Sequence, residues 1–578
     1  MMLAASLLAS SSSPGASDSE GLPAAPSPKI EPGTQGIVKT VLDGTEAIEV
    51  PLEFLGLYED AIGPGYDLYL VRLSGAEAER VGIAAGMSGS PVYVDGEIVG
   101  ALSYRLGFLP KEPIAGVTPI RDMLDAARAH APGSGAGSAG AERIATPIFL
   151  AGVARPVAEQ LRSELEKLGF VVVMSGGGQS SDAAVAGTLG PGSPVGVQLV
   201  RGDMSIAATG TVTWVDEDRV FAFGHPMLGV GRTDLPMVAA EVLYTLPDLG
   251  GSVRLSTVGA PLGAFREDRL TAIVGQLGAE ARTLPVKLRV EGGDHTSRGF
   301  EFEVARHASL MPVLVGAVVS NALVLSLGYD EDATVRIDGQ IRVAGLPAVP
   351  VTVAVASGPG PHPYISAAAR MGQLVAMLNG NPFSPLEIEA IDLRIDITRT
   401  RTAYRLESIH FDRGPVRAGQ PLQITCELAS YRGETQSRSL EIAVPPDARA
   451  GSRLSIVVGE PAAVARVLGN PLARRLQSAR DLESYVRVLG EFPAADRLTA
   501  VLYRRALGAV SQGAAFSELP ATAASLLGSQ SGASGDAYLT VAPLASADLV
   551  LDGPVEGSVL ATVEVEGSPP GGQEGEEP

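Results

Sequence analysis

The chain has 578 residues, room for three or four domains of ordinary size, and 65 acidic against 44 basic side chains give it a net charge of −21. That excess of acid argues against nucleic acid or an anionic membrane surface as partner, because both need basic patches. A single cysteine, Cys426, excludes an intrachain disulfide and a thiolate cluster, and the scattered histidines offer no metal-binding spacing, so neither metal nor cofactor is expected.

Residues 1–32 begin with the apolar MMLAASLLAS and continue Ser/Pro/Ala-rich, with no basic residue before Lys29. They read either as an export-signal remnant running into a disordered linker or as a plain disordered start. Residues 33–130 form a β-rich, serine-bearing barrel half. Its Val/Ile/Leu alternation is broken at Asp43-Gly44, Gly63-Pro64-Gly65 and Asp95-Gly96, the last a two-residue hairpin signal between VYV and EIVGALSY. The Gly/Ser-rich 131–142 is a linker by composition.

Residues 143–400 read as a second β-rich half, bearing His225 and several inserted helices. One helix starts at Pro156, carries the stripe Val157, Leu161, Leu165 and Leu168, and stops at Gly169. The SGGG at 175–178 lacks the Lys-Ser/Thr of a phosphate loop and is a loop. Strands dominate from Val195 to Val304. The uncharged run Ala308–Tyr329 is long enough to span a bilayer, but Pro312, Gly316, Ser320 and Asn321 interrupt it. A buried helical segment is expected there rather than a stable transmembrane anchor. Ile365–Leu378 is helical, and Leu393, Ile395 and Ile397 mark a half-buried strand.

A β-sandwich is expected over 401–465, with Leu422, Ile424, Cys426 and Leu428 on its apolar face. Residues 466–566 come next as a small helical and β region, in which 470–510 reads as helical from Leu482, Val486 and Leu489. Residues 567–578 are an acidic, disordered tail.

The run Gly86-Met87-Ser88-Gly89-Ser90-Pro91 sets a serine among small residues at a tight turn, before a hairpin. Chymotrypsin-type proteases use such a turn for the nucleophile and its N–H groups for the oxyanion, and a neighbouring strand pairs with substrate. Ser88 would be the nucleophile, Gly86 and Ser88 the oxyanion donors, and Ser103-Tyr104 the substrate strand. A plain Gly/Ser turn between strands is the bland alternative. A serine hydrolase also needs an imidazole, and His225, between Gly224 and Pro226 at the end of an apolar strand, has the most constrained setting of the six.

Together these segments resemble the SpoIVB peptidase family, bacterial serine endopeptidases of chymotrypsin-like fold. The resemblance runs from about Gly33 to Gly275 and is most specific in AGMSGSPVYVDGEIVGAL and GTVTWVDEDRVFAFGHP. It implies a mainly β, two-barrel protease domain with a few helices ahead of the sandwich. It also implies Ser88 as nucleophile, His225 as base, and cleavage of a protein or peptide substrate outside the cytoplasm, in the periplasm or secreted.

Three departures matter, one of them that the sequence has no clear PDZ-like segment. The family's sporulation members place the histidine segment first, whereas here Ser88 precedes His225. Their Asp about fifteen positions before the serine has no counterpart in LVRLSGAEAER. Asp216 and Asp218 read as turn residues and Asp234 as a loop residue. Asp268, 43 residues after His225, is the candidate third member, with a Ser88–His225 dyad as the alternative. No charge lies between Val81 and Ser88, so a primary pocket around Gly82-Ile83-Ala84 is expected to favour uncharged side chains. The competing class is a catalytically silent, protease-like scaffold that binds a protein partner in the periplasm or at the cell surface.

Overall fold

The computed structural model describes residues 30–107, 111–128, 141–175, 189–292, 297–327, 332–511, 514–516, 519–520, 522–523 and 537–566. The expectations for 1–29, for the linker up to 140, for the glycines at 176–178 and for the tail at 567–578 lie outside them. The chain is mainly β and divides into two compact units.

The first unit takes in Met1–Phe149, Leu165–Gln198 and Ala207–Ala281. It begins with β1 (Gln35–Thr40), β2 (Ile48–Gly63), β3 (Tyr66–Leu73), the short helix α1 (Ala76–Val81), β4 (Pro91–Val94), β5 (Glu97–Leu106), β6 (Ile114–Pro119) and α2 (Ile120–Arg128). The strands pair in the order β4-β1-β2-β3-β6-β5, and β5 returns to β4, closing a six-stranded barrel. Period-two alternation fills it with Val38, Leu52, Phe54, Val71, Val92, Leu102 and Val117. Closure leaves no free edge in the ring. Asp95 and Gly96 have φ of 50° and 83°, which the tight turn between β4 and β5 requires.

Next come β7 (Ala141–Arg143), which pairs with β5, then β8 (Thr146–Ala151), α3 (Arg155–Glu166) and β9 (Phe170–Ser175). The expected linker therefore ends two residues early, because Ala141 and Glu142 are already strand. A second sheet is built from β10 (Pro194–Gly202), β11 (Ser205–Asp216), β12 (Arg219–Ala222), β13 (Gly231–Leu246), β14 (Val253–Arg269) and β15 (Ala272–Leu277). These six run in the order β10-β13-β14-β15-β12-β11 as part of a 13-stranded sheet, which continues past β11 through β8 and β9 and past β10 through five further strands, with an additional pairing of β10 to β11.

The second unit takes in Leu150–Glu164, Leu199–Ile206 and Arg282–Pro578. The uncharged run forms the buried helix Met311–Leu327. Asn321 fits this apolar setting because its amide donates to Gly152 O at 2.9 Å and accepts from Ala154 N at 2.8 Å. The helix packs closely on Pro363–Asn379, where a Cβ at Gly316 would lie 3.1 Å from Ala368 O. Among the described residues no helix is long and apolar enough to cross a membrane.

The sandwich differs from its expected extent. One sheet holds Tyr404–Phe411, Pro421–Ser430 and Thr435–Ala443, joined by Val555–Glu556. The other holds Arg453–Gly459, Arg497–Ser511, Ala514–Phe516, Ala537–Val550 and Ser558–Glu564. Their shared core sets Leu422, Ile424 and Cys426 against Ile456, Leu498 and Leu502. The helical reading of 470–510 therefore fits Pro471–Gln477 and Leu482–Leu489 but fails beyond them. From Arg497 the chain is a strand, because Leu498, Ala500 and Leu502 point into the core at period two.

Candidate active site

The serine turn lies between α1 and β4. Ser90 N donates to Met87 O at 3.0 Å, and Ser90 Oγ donates to the same carbonyl at 2.6 Å. Gly89 has φ +93°, and a Cβ there would fall 2.0 Å from Thr211 O and 2.5 Å from Phe223 N. The small residues around Ser88 are thus a consequence of the second sheet pressing on the turn. Ser88 O accepts from Thr211 N at 2.9 Å, and Thr211 O accepts from Phe223 N at 3.2 Å. Two residues further lies His225.

Phe223 carries φ +72°, which is rare for a bulky side chain and costs backbone energy that its surroundings must hold. Gly224 O accepts from Thr118 Oγ1 at 2.8 Å. The His225 ring is 2% exposed, with Tyr104 edge-on to it. Its Nδ1 lies 2.8 Å from Pro226 O. A carbonyl only accepts, so Nδ1 carries the proton and Nε2 the lone pair. Arg143 Nη1 donates to the same carbonyl at 3.2 Å. Burial, aided by the nearby Arg143 charge, pushes the imidazole pKa down to about 4, against smaller opposing effects of the Pro226 and Ile144 backbone.

Ser88 Oγ and His225 Nε2 are both buried and both without a hydrogen-bond partner. No bond joins them, yet the Thr211–Phe223 backbone ladder connects their segments. Buried polar atoms are rarely left so.

Asp268, 1% exposed, does not orient the ring. Its Oδ1 accepts from Met227 N at 2.8 Å, and its Oδ2 accepts from Leu228 N at 2.7 Å and Gly229 N at 2.9 Å. It therefore fixes the loop after His225, while the Pro226 carbonyl takes the Nδ1 proton. Burial raises the carboxyl pKa, and the three N–H bonds pull it the other way. Asp234 is ion-paired with Arg266, Asp216 lies 2.9 Å from Arg219, and Asp218 accepts from Gln276 at 2.9 Å.

Three further expectations change. Gly86 N already donates to Ala145 O at 3.2 Å, so one of the two oxyanion donors is engaged. Ser103-Tyr104 offers no free edge: Tyr104 pairs with Gly116 of β6 on one side and Arg143 of β7 on the other. The cause is β7, which folds back from beyond the linker onto β5. Gly82 and Ile83 open on a cleft of about 460 Å³ whose lining is charged, with Glu79, Arg80, Arg105, Lys111 and Asp248.

The seam between barrel and second sheet is polar. Thr211 Oγ1 donates to Gly86 O at 3.1 Å, Thr213 Oγ1 to Gly89 O at 2.7 Å and Thr245 Oγ1 to Leu42 O at 2.8 Å. Arg254 lies fully buried there. Its N donates to Ala85 O at 3.1 Å, and its Nη1 donates to Thr211 Oγ1 at 3.0 Å and Thr40 Oγ1 at 3.3 Å. The sequence reading missed all of these. In Val253-Arg254-Leu255-Ser256 the polar pair is buried and the apolar pair half-exposed, the reverse of the usual assignment. No cluster of metal-ligating side chains is found among the described residues. Compared with known proteins, the chain matches no family model, no curated protein and no solved structure.

Proposed function

We propose that the chain is a serine endopeptidase of the SpoIVB type, acting outside the cytoplasm, with Ser88 as nucleophile and His225 as general base. In this reading the six-strand barrel and the sheet that presses on its serine turn stand for the two barrels of a chymotrypsin-like layout, with the site in the seam where they meet. The observation that carries it is the pair of unpartnered buried atoms, Ser88 Oγ and His225 Nε2, with the imidazole in the tautomer that leaves the Nε2 lone pair free. Strain at Phe223, immediately before this segment, supports it too.

Chemically, Nε2 takes the Ser88 proton as Oγ bonds to the peptide carbonyl. The imidazolium returns that proton to the leaving amine as the C–N bond breaks, and water then hydrolyses the acyl-enzyme by the same relay. Asp268 acts as a positioning residue through the Met227–Gly229 backbone. The described state is the resting one, since the serine is shut from solvent and the Gly86 donor is engaged.

Those last two observations favour the second reading, a silent scaffold that binds a protein partner. A fluorophosphonate probe separates the two. Labelling of Ser88 that disappears in Ser88→Ala is the expected result. Native chain that stays unlabelled across the neutral pH range even with a peptide mixture present to open the resting site leaves the scaffold.

A further inference from the structure

Arg254 is the largest fully buried side chain among the described residues, and no carboxylate there answers it. Its Nη1 is bonded to two threonine hydroxyls, while Nε and Nη2 have no partner. Burial alone pulls its pKa down, to about 9, with no neighbouring charge contributing. Charges taken out of water are normally paired, and a buried guanidinium with idle donors is the costly exception.

The idle atoms have a definite geometry. Nε and Nη2 present parallel N–H bonds along one edge of the guanidinium, the edge that grips a carboxylate with two hydrogen bonds. The position is equally definite. Arg254 N is bonded to Ala85 O, and a Cβ on Gly86 would touch Arg254 Cβ at 3.5 Å. One residue, Thr211, bonds the guanidinium through its hydroxyl and the Ser88 carbonyl through its N–H. The segment just upstream of the nucleophile, which carries no charge of its own, therefore receives a cation from β14.

We infer that Arg254 is a carboxylate-recognition residue, which selects a substrate with an acidic group, a Glu or Asp side chain or a free C-terminus, at the position beside Ser88. This rests on the endopeptidase reading for its substrate, though not for the anion site itself. An entering carboxylate supplies the two acceptors that the resting seam lacks, so binding and opening of the seam favour each other. One residue then carries the selectivity, in place of the uncharged pocket expected from the sequence.

The test uses the full chain, Arg254→Met and Arg254→Lys, all with fluorophosphonate labelling of Ser88 in parallel. Acetyl-glutamate amide should raise the unfolding temperature of the native chain in a concentration-dependent way, and acetyl-glutamine amide should not. The rise should vanish in Arg254→Met and survive, weakened, in Arg254→Lys, which keeps the charge should the Met variant fold poorly. Cleavage of an amidated peptide library should favour Glu or Asp by about tenfold or more, falling to near parity in Arg254→Met. Acid preference seen only with free C-termini assigns the group to the chain end. An equal thermal response in Arg254→Met, or labelled enzyme that cleaves after uncharged residues whatever stands at 254, overturns the inference and leaves the protease reading intact. An Arg254-dependent thermal response without Ser88 labelling has the opposite meaning: the anion site stands and the protease falls.

Discussion

Gly89 lies so close to Phe223 that a Cβ added at position 89 would fall 2.5 Å from the Phe223 nitrogen. Backbone cannot yield as a flexible side chain would, and the positive φ of Gly89 adds strain for any other residue. Gly89→Ala should cost about 3 kcal/mol or more, since overpacking and left-handed strain act together. Denaturant unfolding of the purified variant measures it, and a loss under about 1 kcal/mol would mean that the seam is loose.

Asp268→Asn separates a loop anchor from a charge-relay carboxylate. An amide oxygen can replace one carboxylate oxygen, but the NH₂ group must then face at least one of the three N–H donors at Met227, Leu228 and Gly229. Stability should fall by about 1–3 kcal/mol, the range for a lost bond to a buried charged group. Activity should fall with it and recover in part when assayed well below the new melting temperature. A variant of native stability with activity down by orders of magnitude would mean that Asp268 orients the imidazole directly.

The pH dependence of stability should carry the mark of His225. Its folded pKa of about 4 lies below the ordinary 6.5, so on acidification the unfolded chain takes up the proton first. The native state is penalised progressively from pH 6.5 down to about 4, by about 3 kcal/mol in all. Asp122, raised by burial to about 6 from an ordinary 3.8, works in the opposite direction over much of that window. The clean measurement is the difference in unfolding free energy between native chain and His225→Gln, in which Asp122 cancels. That difference should move in favour of the variant as the pH falls from 6.5 to 4, and a flat difference would mean that water reaches the ring.

Cys426 is fully buried on the inner face of the sandwich, where burial pushes its thiol pKa up to about 11. Iodoacetamide at pH 8 should leave the native chain unmodified and react once the sandwich opens in denaturant. Rapid alkylation of native chain would place the thiol in solvent.

Regularity made much of the fold legible. Alternation in β1–β6, the Asp95-Gly96 turn and the uncharged run at 311–327 all obey local rules, so residue type was enough. The backbone link between the Ser88 and His225 segments, through Thr211 and Phe223, is not something periodicity could show. What stayed hidden depended on partners distant in sequence. Nothing local says that β7 returns to cover Ser103-Tyr104. Arg497–Ser511 has period-two apolar residues, but its small and charged residues also suit a helix, and only pairing with Arg453–Gly459 and Ala537–Val550 decides. Arg254 escaped because burying a cation contradicts the usual rule that charged side chains stay in water.

The sandwich core is completed by Ser558–Glu564, which lies along Arg453–Gly459, and by Val555–Glu556 beside Tyr404–Phe411. On a ribosome this sets a timetable. Strands from Tyr404 onward emerge with one flank bare and wait for their closing partners, which at about 5–20 residues per second means roughly ten to thirty seconds. All the strands of the barrel have emerged long before. The sandwich strands are therefore the stretch of nascent chain with most reason to need a holding chaperone, and a ribosome stalled before codon 558 would display an apolar face that the finished protein never shows.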